Sequence, residues 1–127
     1  MMTARWVIHS QTGFEASHAL TSYLGAAEEP HTHQWQVAIR VGADGLNDEG
    51  FALDFHAVHA LLERVVAPLR GSDLNDHPSI GMPTPSAERV AEVISDELRP
   101  GVSAIGGRLL TVSVWEGPEN RVDLCLT

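Results

Sequence analysis

The chain has 127 residues, 43% of them hydrophobic, enough for one domain with a single core of ordinary size. Its net charge is −9 and its 8 basic residues are all arginine and scattered, which argues against a phosphate-binding face for nucleic acid. No run approaches the about 18 apolar residues of a membrane span, the N-terminus lacks a basic-then-apolar signal segment, and the single cysteine, Cys125, excludes an internal disulfide. These features imply one domain over residues 1–127, cytoplasmic, with neither nucleic acid nor membrane as partner.

Residues 4–18 read as a long strand, with Gly13 a candidate bulge. Along it Trp6, Ile8, Phe14, Ala16 and His18 share one face. The loop Thr21–Pro30 carries Gly25, and Pro30 forces an extended approach to His31. Residues 31–42 form a second, antiparallel strand, in which the face of His31 and His33 continues as Trp35, Val37, Ile39 and Val41. Gln34, Gln36 and Arg40 point the other way. Turns at Asp44-Gly45 and from Asn47 to Gly50 close the strand.

Three histidines therefore stand at the ends of two apolar faces, on either side of a chain reversal. Buried neutral imidazoles need partners, and one metal ion satisfies three at once. His18, His31 and His33 are expected to hold zinc, with a fourth position left open as in catalytic centres. Iron, nickel and cobalt suit the same ligand type.

Asp54 suits a helix N-cap, and Phe55, Val58, Leu61, Leu62, Val65 and Val66 follow at helical spacing until Pro68 and Gly71. His56, His59 and Glu63 share the opposite face of this helix. A solvated polar stripe is the expectation there, with metal binding the alternative. Residues 70–83 form a loop in which turn chemistry explains Asn75, Asp76 and Pro78. Thr84 then caps a second helix with Pro85 at its first position. Its buried stripe is Ala87, Val90, Ala91, Val93, Ile94 and Leu98, and Pro100-Gly101 stops it.

The last third reads as a hairpin. Leu110, Val112, Val114 and Glu116 share a face, residues 117–120 turn, and Val122, Leu124 and Leu126 return. A carboxylate at the end of that apolar face is solvated, paired, or used to bind a ligand with several N–H donors. The order is ββααββ: an α+β domain with a four-stranded antiparallel sheet and two helices on one face.

Six short segments, in order and spacing over nearly the whole chain, resemble the 6-pyruvoyl-tetrahydropterin synthase and 6-carboxytetrahydropterin synthase family. They are Phe14-Glu-Ala-Ser-His18, His31-Thr-His33, Gly50-Phe-Ala-Leu-Asp54-Phe55, Leu74-Asn-Asp76-His77, Pro85-Ser-Ala-Glu88 and Val112-Ser-Val-Trp-Glu116. The resemblance implies the tunnelling fold, in which ββααββ subunits assemble as trimers and hexamers with sites between subunits. It implies Zn²⁺ on His18, His31 and His33, a pterin ring anchored by Glu116, and proton transfer through Asp76 and His77. The implied activity is that of a lyase on a dihydropterin such as 7,8-dihydroneopterin triphosphate, by loss of triphosphate or cleavage of the side chain.

The departures bear on the reaction. The family's usual catalytic cysteine stands four residues before the first histidine of His-x-His, and here that position is Ala27; Cys125 lies on the last strand. Glu28 instead resembles a glutamate-containing subgroup that releases 6-hydroxymethyl-7,8-dihydropterin, and is the candidate general base, with Glu29 as neighbour. Thr32, Ser86, Arg89 and Gly117 are further changes that bear on substrate more than on fold. Two other classes compete: a metal-containing pterin- or purine-binding protein that lost catalysis with the cysteine, and an oligomeric module whose histidines only hold strands together.

Overall fold

The structure, a computed structural model, describes residues 4–126; the ends of the expected domain lie outside the described residues. Strand β1 runs Trp6–His18 and β2 runs His31–Ala43. They pair antiparallel in one unbroken register, from Trp6 opposite Ala43 to His18 opposite His31. Gly13 is therefore an ordinary ladder residue facing Gln36, not a bulge. The irregularity falls between Arg40 and Val41, where β2 meets the later strand β4, Arg108–Glu116. Strand β5, Asn120–Cys125, returns antiparallel along β4.

The expected sheet had four antiparallel strands, and the observed one has five. Ser72–Asp73 forms a short β3 parallel to β1, opposite Ala16 and Ser17, so the order is β3-β1-β2-β4-β5. Two residues among Gly, Ser and Asp carry no strand signal; the pairing exists because Gly71 N–H bonds to the Glu15 carbonyl and draws the chain against the edge.

Two helices cover one face of the sheet. Helix α1, Phe55–Val66, starts at Asp54, whose carboxylate accepts the His56 N–H as a cap. Val58, Leu62, Val65 and Val66 are its buried stripe, but Phe55, at the first position, is 72% exposed. Spacing predicts which side of a helix faces the core, not whether the first turn reaches it.

Helix α2, Ala87–Ala104, departs from expectation at both ends. Ser86 rather than Thr84 is the cap, its hydroxyl accepting the Arg89 N–H, so Pro85 lies outside the helix. At the other end the helix passes through Pro100 and Gly101 to Ala104. Proline removes one hydrogen bond, yet the turn is held by tertiary packing: Val102 is buried, and Gly101 faces α1 so closely that a Cβ there would meet Leu61 Cδ2 at 2.6 Å. Gly106, at φ +88°, then ends the helix.

Alternation on the strands is obeyed in the core. Ile8, Phe14 and Ala16 of β1, Trp35, Val37, Ile39 and Val41 of β2, and Val112 and Val114 of β4 pack beneath the helices. Trp6, at the start of β1, is 41% exposed. Among the described residues no helix is long and apolar enough to cross a membrane.

Candidate metal centre

The long β1–β2 ladder ends where the histidines are. His18 is the last residue of β1 and pairs with His31, the first of β2; His33 pairs with Ala16. Residues two apart on β2 and the facing end of β1 therefore present imidazoles to the same side. The ring centroids are 4.6 Å apart for His18 and His31, 5.5 Å for His18 and His33, and 4.4 Å for His31 and His33. Trp35 closes one side, edge-on to His18 at 5.0 Å and stacked near Phe14 at 5.9 Å. Its indole N–H is satisfied by the Ala16 carbonyl at 3.2 Å.

Backbone carbonyls fix two of the three rings. His18 Nδ1–H donates to Pro85 O at 2.8 Å, and His31 Nδ1–H donates to Glu29 O at 3.1 Å. A carbonyl can only accept, so Nδ1 carries a proton in both rings, and in the neutral tautomer each Nε2 keeps its lone pair. This is the arrangement by which ligating histidines are held to their metals. The displaced start of α2 has a role here: with Pro85 outside the helix, its carbonyl is free to accept from His18.

Glu116 completes the group. The end of β4 pairs with Trp35, which brings the Glu116 carboxylate beside His18, with Oε1 2.6 Å from Nε2. That distance suits an ion pair, yet His18 Nε2 is buried and makes no hydrogen bond. With His18 neutral, two acceptors face one another at close range, a costly arrangement that a bound cation would remove. One donor atom from each of His18, His31, His33 and Glu116 lies within 4.8 Å of the others, the only such group of His, Cys, Asp and Glu among the described residues. Three nitrogens and one oxygen fit a divalent ion of the zinc type. His33 is held below the ordinary imidazole value, first by its burial, with Glu116 opposing and His31 and His18 reinforcing; it stays in the neutral, ligand-competent form.

Glu28 stands just outside this group. Its carboxylate lies 3.9 Å from His31 Nε2 and accepts the Leu20 N–H at 3.0 Å, while its own N–H bonds to the Leu20 carbonyl. The loop is thus closed on itself with a fixed carboxylate near the cluster. Asp76 and His77 are not members of the cluster. They lie on a loop whose Asn75 clasps the backbone of Ala19 through two 2.8 Å bonds, one residue beyond His18. His77 Nδ1 accepts from Ser79 N and Ile80 N, both at 3.1 Å, so the neutral ring carries its proton on Nε2.

The polar face of α1 has another use. His59 bonds to Ser10 at 2.8 Å, and Glu63 accepts from Thr12 and pairs with Arg70 at 2.8 Å. These contacts clamp α1 to β1, and they consume the groups that a metal there would need. Pro85, Glu29 and Leu20 are the participants that side-chain chemistry did not reveal, because each acts through its backbone. Turn chemistry suffices to explain Asn75 in the sequence, and nothing in its spacing distinguishes a turn residue from a strap.

A small cleft of about 260 Å³ adjoins the cluster, lined by Leu20, by Ser86 and Glu88 at the start of α2, and by Glu116, Asn120 and Arg121. Glu116 is the residue shared by cleft and cluster.

The chain was compared with known proteins. No curated protein matches it. Among solved structures, the 6-pyruvoyl tetrahydropterin synthase of Caenorhabditis elegans superposes with a TM-score of 0.77 at 14% identity, over 99% of this chain and 100% of that one. An uncharacterized protein of Wolinella succinogenes gives 0.79 at 14%, over 96% and 98%. The 6-pyruvoyltetrahydropterin synthase of Plasmodium vivax, in a variant with a catalytic glutamate replaced by alanine, gives 0.72 at 15%, over 94% and 98%. At such identities these likenesses establish the tunnelling fold. The profile of 6-pyruvoyl tetrahydropterin synthase, a family of lyase-type pterin enzymes, matches residues 7–125, and with nearly the whole described chain covered, this protein belongs to that family.

Proposed function

We propose that the protein is a zinc-dependent lyase acting on a dihydropterin such as 7,8-dihydroneopterin triphosphate. The observation that carries this reading is the convergence of three imidazoles, two with Nδ1 pinned by carbonyls, beside a cleft walled by Glu116. Zinc held by His18, His31 and His33 would polarise the side-chain oxygens of the substrate and acidify the neighbouring C–H bonds.

The chain's own residues do the rest. Glu116 accepts the adjacent N–H groups of the heterocycle, since a carboxylate offers two oxygens to two parallel donors. The cleft is below the about 300–1,000 Å³ of ordinary ligand pockets, which suits a ring alone with its side chain extending over the cluster. Glu28 accepts the carbon-bound proton; its bond to Leu20 N–H leaves the second oxygen for that task. The Plasmodium vivax neighbour has a catalytic glutamate, which supports a carboxylate in this role. His77, with its proton on Nε2, and Asp76 are assigned to proton transfer in a site completed by a neighbouring subunit. With Ala27 where the family has cysteine, side-chain cleavage to 6-hydroxymethyl-7,8-dihydropterin is favoured over 6-pyruvoyl or 6-carboxy chemistry.

Homo-oligomerisation as a trimer or hexamer is part of the reading. One sheet edge is the two-residue β3 and the other is β5, and ring closure between subunits would remove both edges. A monomer at micromolar concentration in sedimentation velocity would contradict it.

Ala27 favours a second reading, a pterin-binding protein that keeps the metal and lacks the chemistry. One experiment separates the two: zinc-loaded protein is incubated with 7,8-dihydroneopterin triphosphate and any product is identified. Product formation supports the lyase; tight binding with no turnover supports the binding protein.

A further inference from the structure

We propose that Glu116 serves two sites in turn, as fourth ligand of the metal while the cleft is empty and as acceptor for the heterocycle when the cleft is filled. This rests on the metal-centre reading of His18, His31 and His33 and goes beyond it. Its Oε1 lies 2.6 Å from His18 Nε2, and its carboxylate belongs to the same close group of donor atoms as the three histidines. The same side chain, 32% exposed, walls the cleft opposite Ser86 and Arg121. Among the described residues no other carboxylate has this double position. Glu28 is 3.9 Å from His31 Nε2, is engaged by Leu20 N–H, and lies outside the group.

The contact itself asks for a cation. In the neutral tautomer of His18 a buried ring nitrogen with a lone pair and a carboxylate oxygen face each other, and no hydrogen bond joins them. A divalent ion held by His18, His31, His33 and Glu116 would turn that repulsion into attraction, and Glu116 would then fill the position that three histidines leave open. A heterocycle entering the cleft offers N–H donors to the same oxygens and competes with the metal for them. Glu116 would then leave the metal only when the cleft is occupied, making room for oxygens on the substrate's side chain. A heterocycle without such oxygens cannot replace the lost ligand. By linkage, it and the metal weaken one another by the same factor.

The test uses cobalt(II) as the metal and unsubstituted pterin, which has no side-chain oxygens, as the probe. In the whole protein the visible cobalt bands should shift on adding pterin, and cobalt affinity should fall. Glu116→Ala should bind cobalt more weakly by at least the roughly 10- to 100-fold typical of removing a group that only supports a ligand. Its spectrum without pterin should already differ from that of the wild type, with water replacing the carboxylate. Glu116→Gln keeps the side-chain shape and should move both readouts in the same direction, which serves if the alanine variant does not fold. Wild-type affinity and spectrum in both variants, alongside metal loss in His31→Ala, would overturn the proposal while leaving the three-histidine centre in place. An unchanged wild-type spectrum at saturating pterin would overturn the release step. A wild type that binds no cobalt at all would remove the metal centre, and this inference with it.

Discussion

Glu28→Gln separates chemistry from scaffolding at the centre of the proposed mechanism. Glu28 is tied to Leu20 twice, through its own N–H and through a carboxylate oxygen that accepts the Leu20 N–H at 3.0 Å. Glutamine keeps an oxygen for that bond, so folding stability should change by no more than about 0.5 kcal/mol. The side chain loses its ability to take a proton, and turnover should fall by about 10²–10⁴, or roughly 3–5 kcal/mol in the barrier. Glu28→Ala loses the base equally but also strands the Leu20 N–H. That adds about 1 kcal/mol of destabilisation, the low end of the range because the site is part-exposed. Glu29→Gln should be mild in both respects, since Glu29 holds His31 through its backbone carbonyl rather than its carboxylate. The assay is product formation from 7,8-dihydroneopterin triphosphate by zinc-loaded protein, with bound metal and thermal unfolding measured on the same samples. A Glu28→Gln variant that turns over at the wild-type rate would show that the base lies elsewhere and would refute the reasoning.

Other expectations follow from the same geometry. His31→Ala should lose most of the bound zinc, about one per subunit in the wild type, whereas His56→Ala and His59→Ala should keep it; elemental analysis after dialysis reads this directly. Glu63 is held below the usual carboxylate value, chiefly by the Thr12 hydroxyl and then by Arg70. A depressed carboxyl contributes stability that is present above its unfolded value and is lost as pH falls through the lower folded one. Thermal melts below about pH 4.5 should therefore fall less steeply for Glu63→Gln than for the wild type. Gly81→Ala would put a Cβ 2.3 Å from the Asn75 carbonyl oxygen, which is backbone and cannot swing away. It should cost at least about 1–3 kcal/mol in urea denaturation, as overpacking does.

What could be read in advance was whatever alternation encodes. The period of two along β1 and β2 put His18, His31 and His33 on the covered face, and one loop between two strands put them at the same end. Parity says which face a residue occupies, but not which neighbour it meets across the sheet. Hence Glu116 was legible as a carboxylate on an apolar face, while its contact with His18 required the register that sets it opposite Trp35. The ends of α2 differ from expectation for a related reason. Local preference stops a helix at Pro100-Gly101, but the close approach of Gly101 to Leu61 and the burial of Val102 carry it on. The carbonyls of Pro85 and Glu29 were invisible because every residue has one. The α1 polar face was a solvated stripe only in part, since Ser10 and Thr12 of β1 claim His59 and Glu63.

The division of labour between the paired strands and their connection has an evolutionary consequence. The histidines stand on β1 and β2, at the end of a ladder whose register runs without interruption from Trp6 and Ala43. Ala27 and Glu28 stand in the connecting segment, which is closed by its own bonds between Leu20 and Glu28 and tied at Thr21 to Pro83 and Thr84. In the proposed reaction, exchanging side chains there would alter which group reaches the reacting carbon, while the Glu29 carbonyl that holds His31 is backbone and would stay. New chemistry can thus arise by short changes in one connection, while the strands that build the centre are inherited intact.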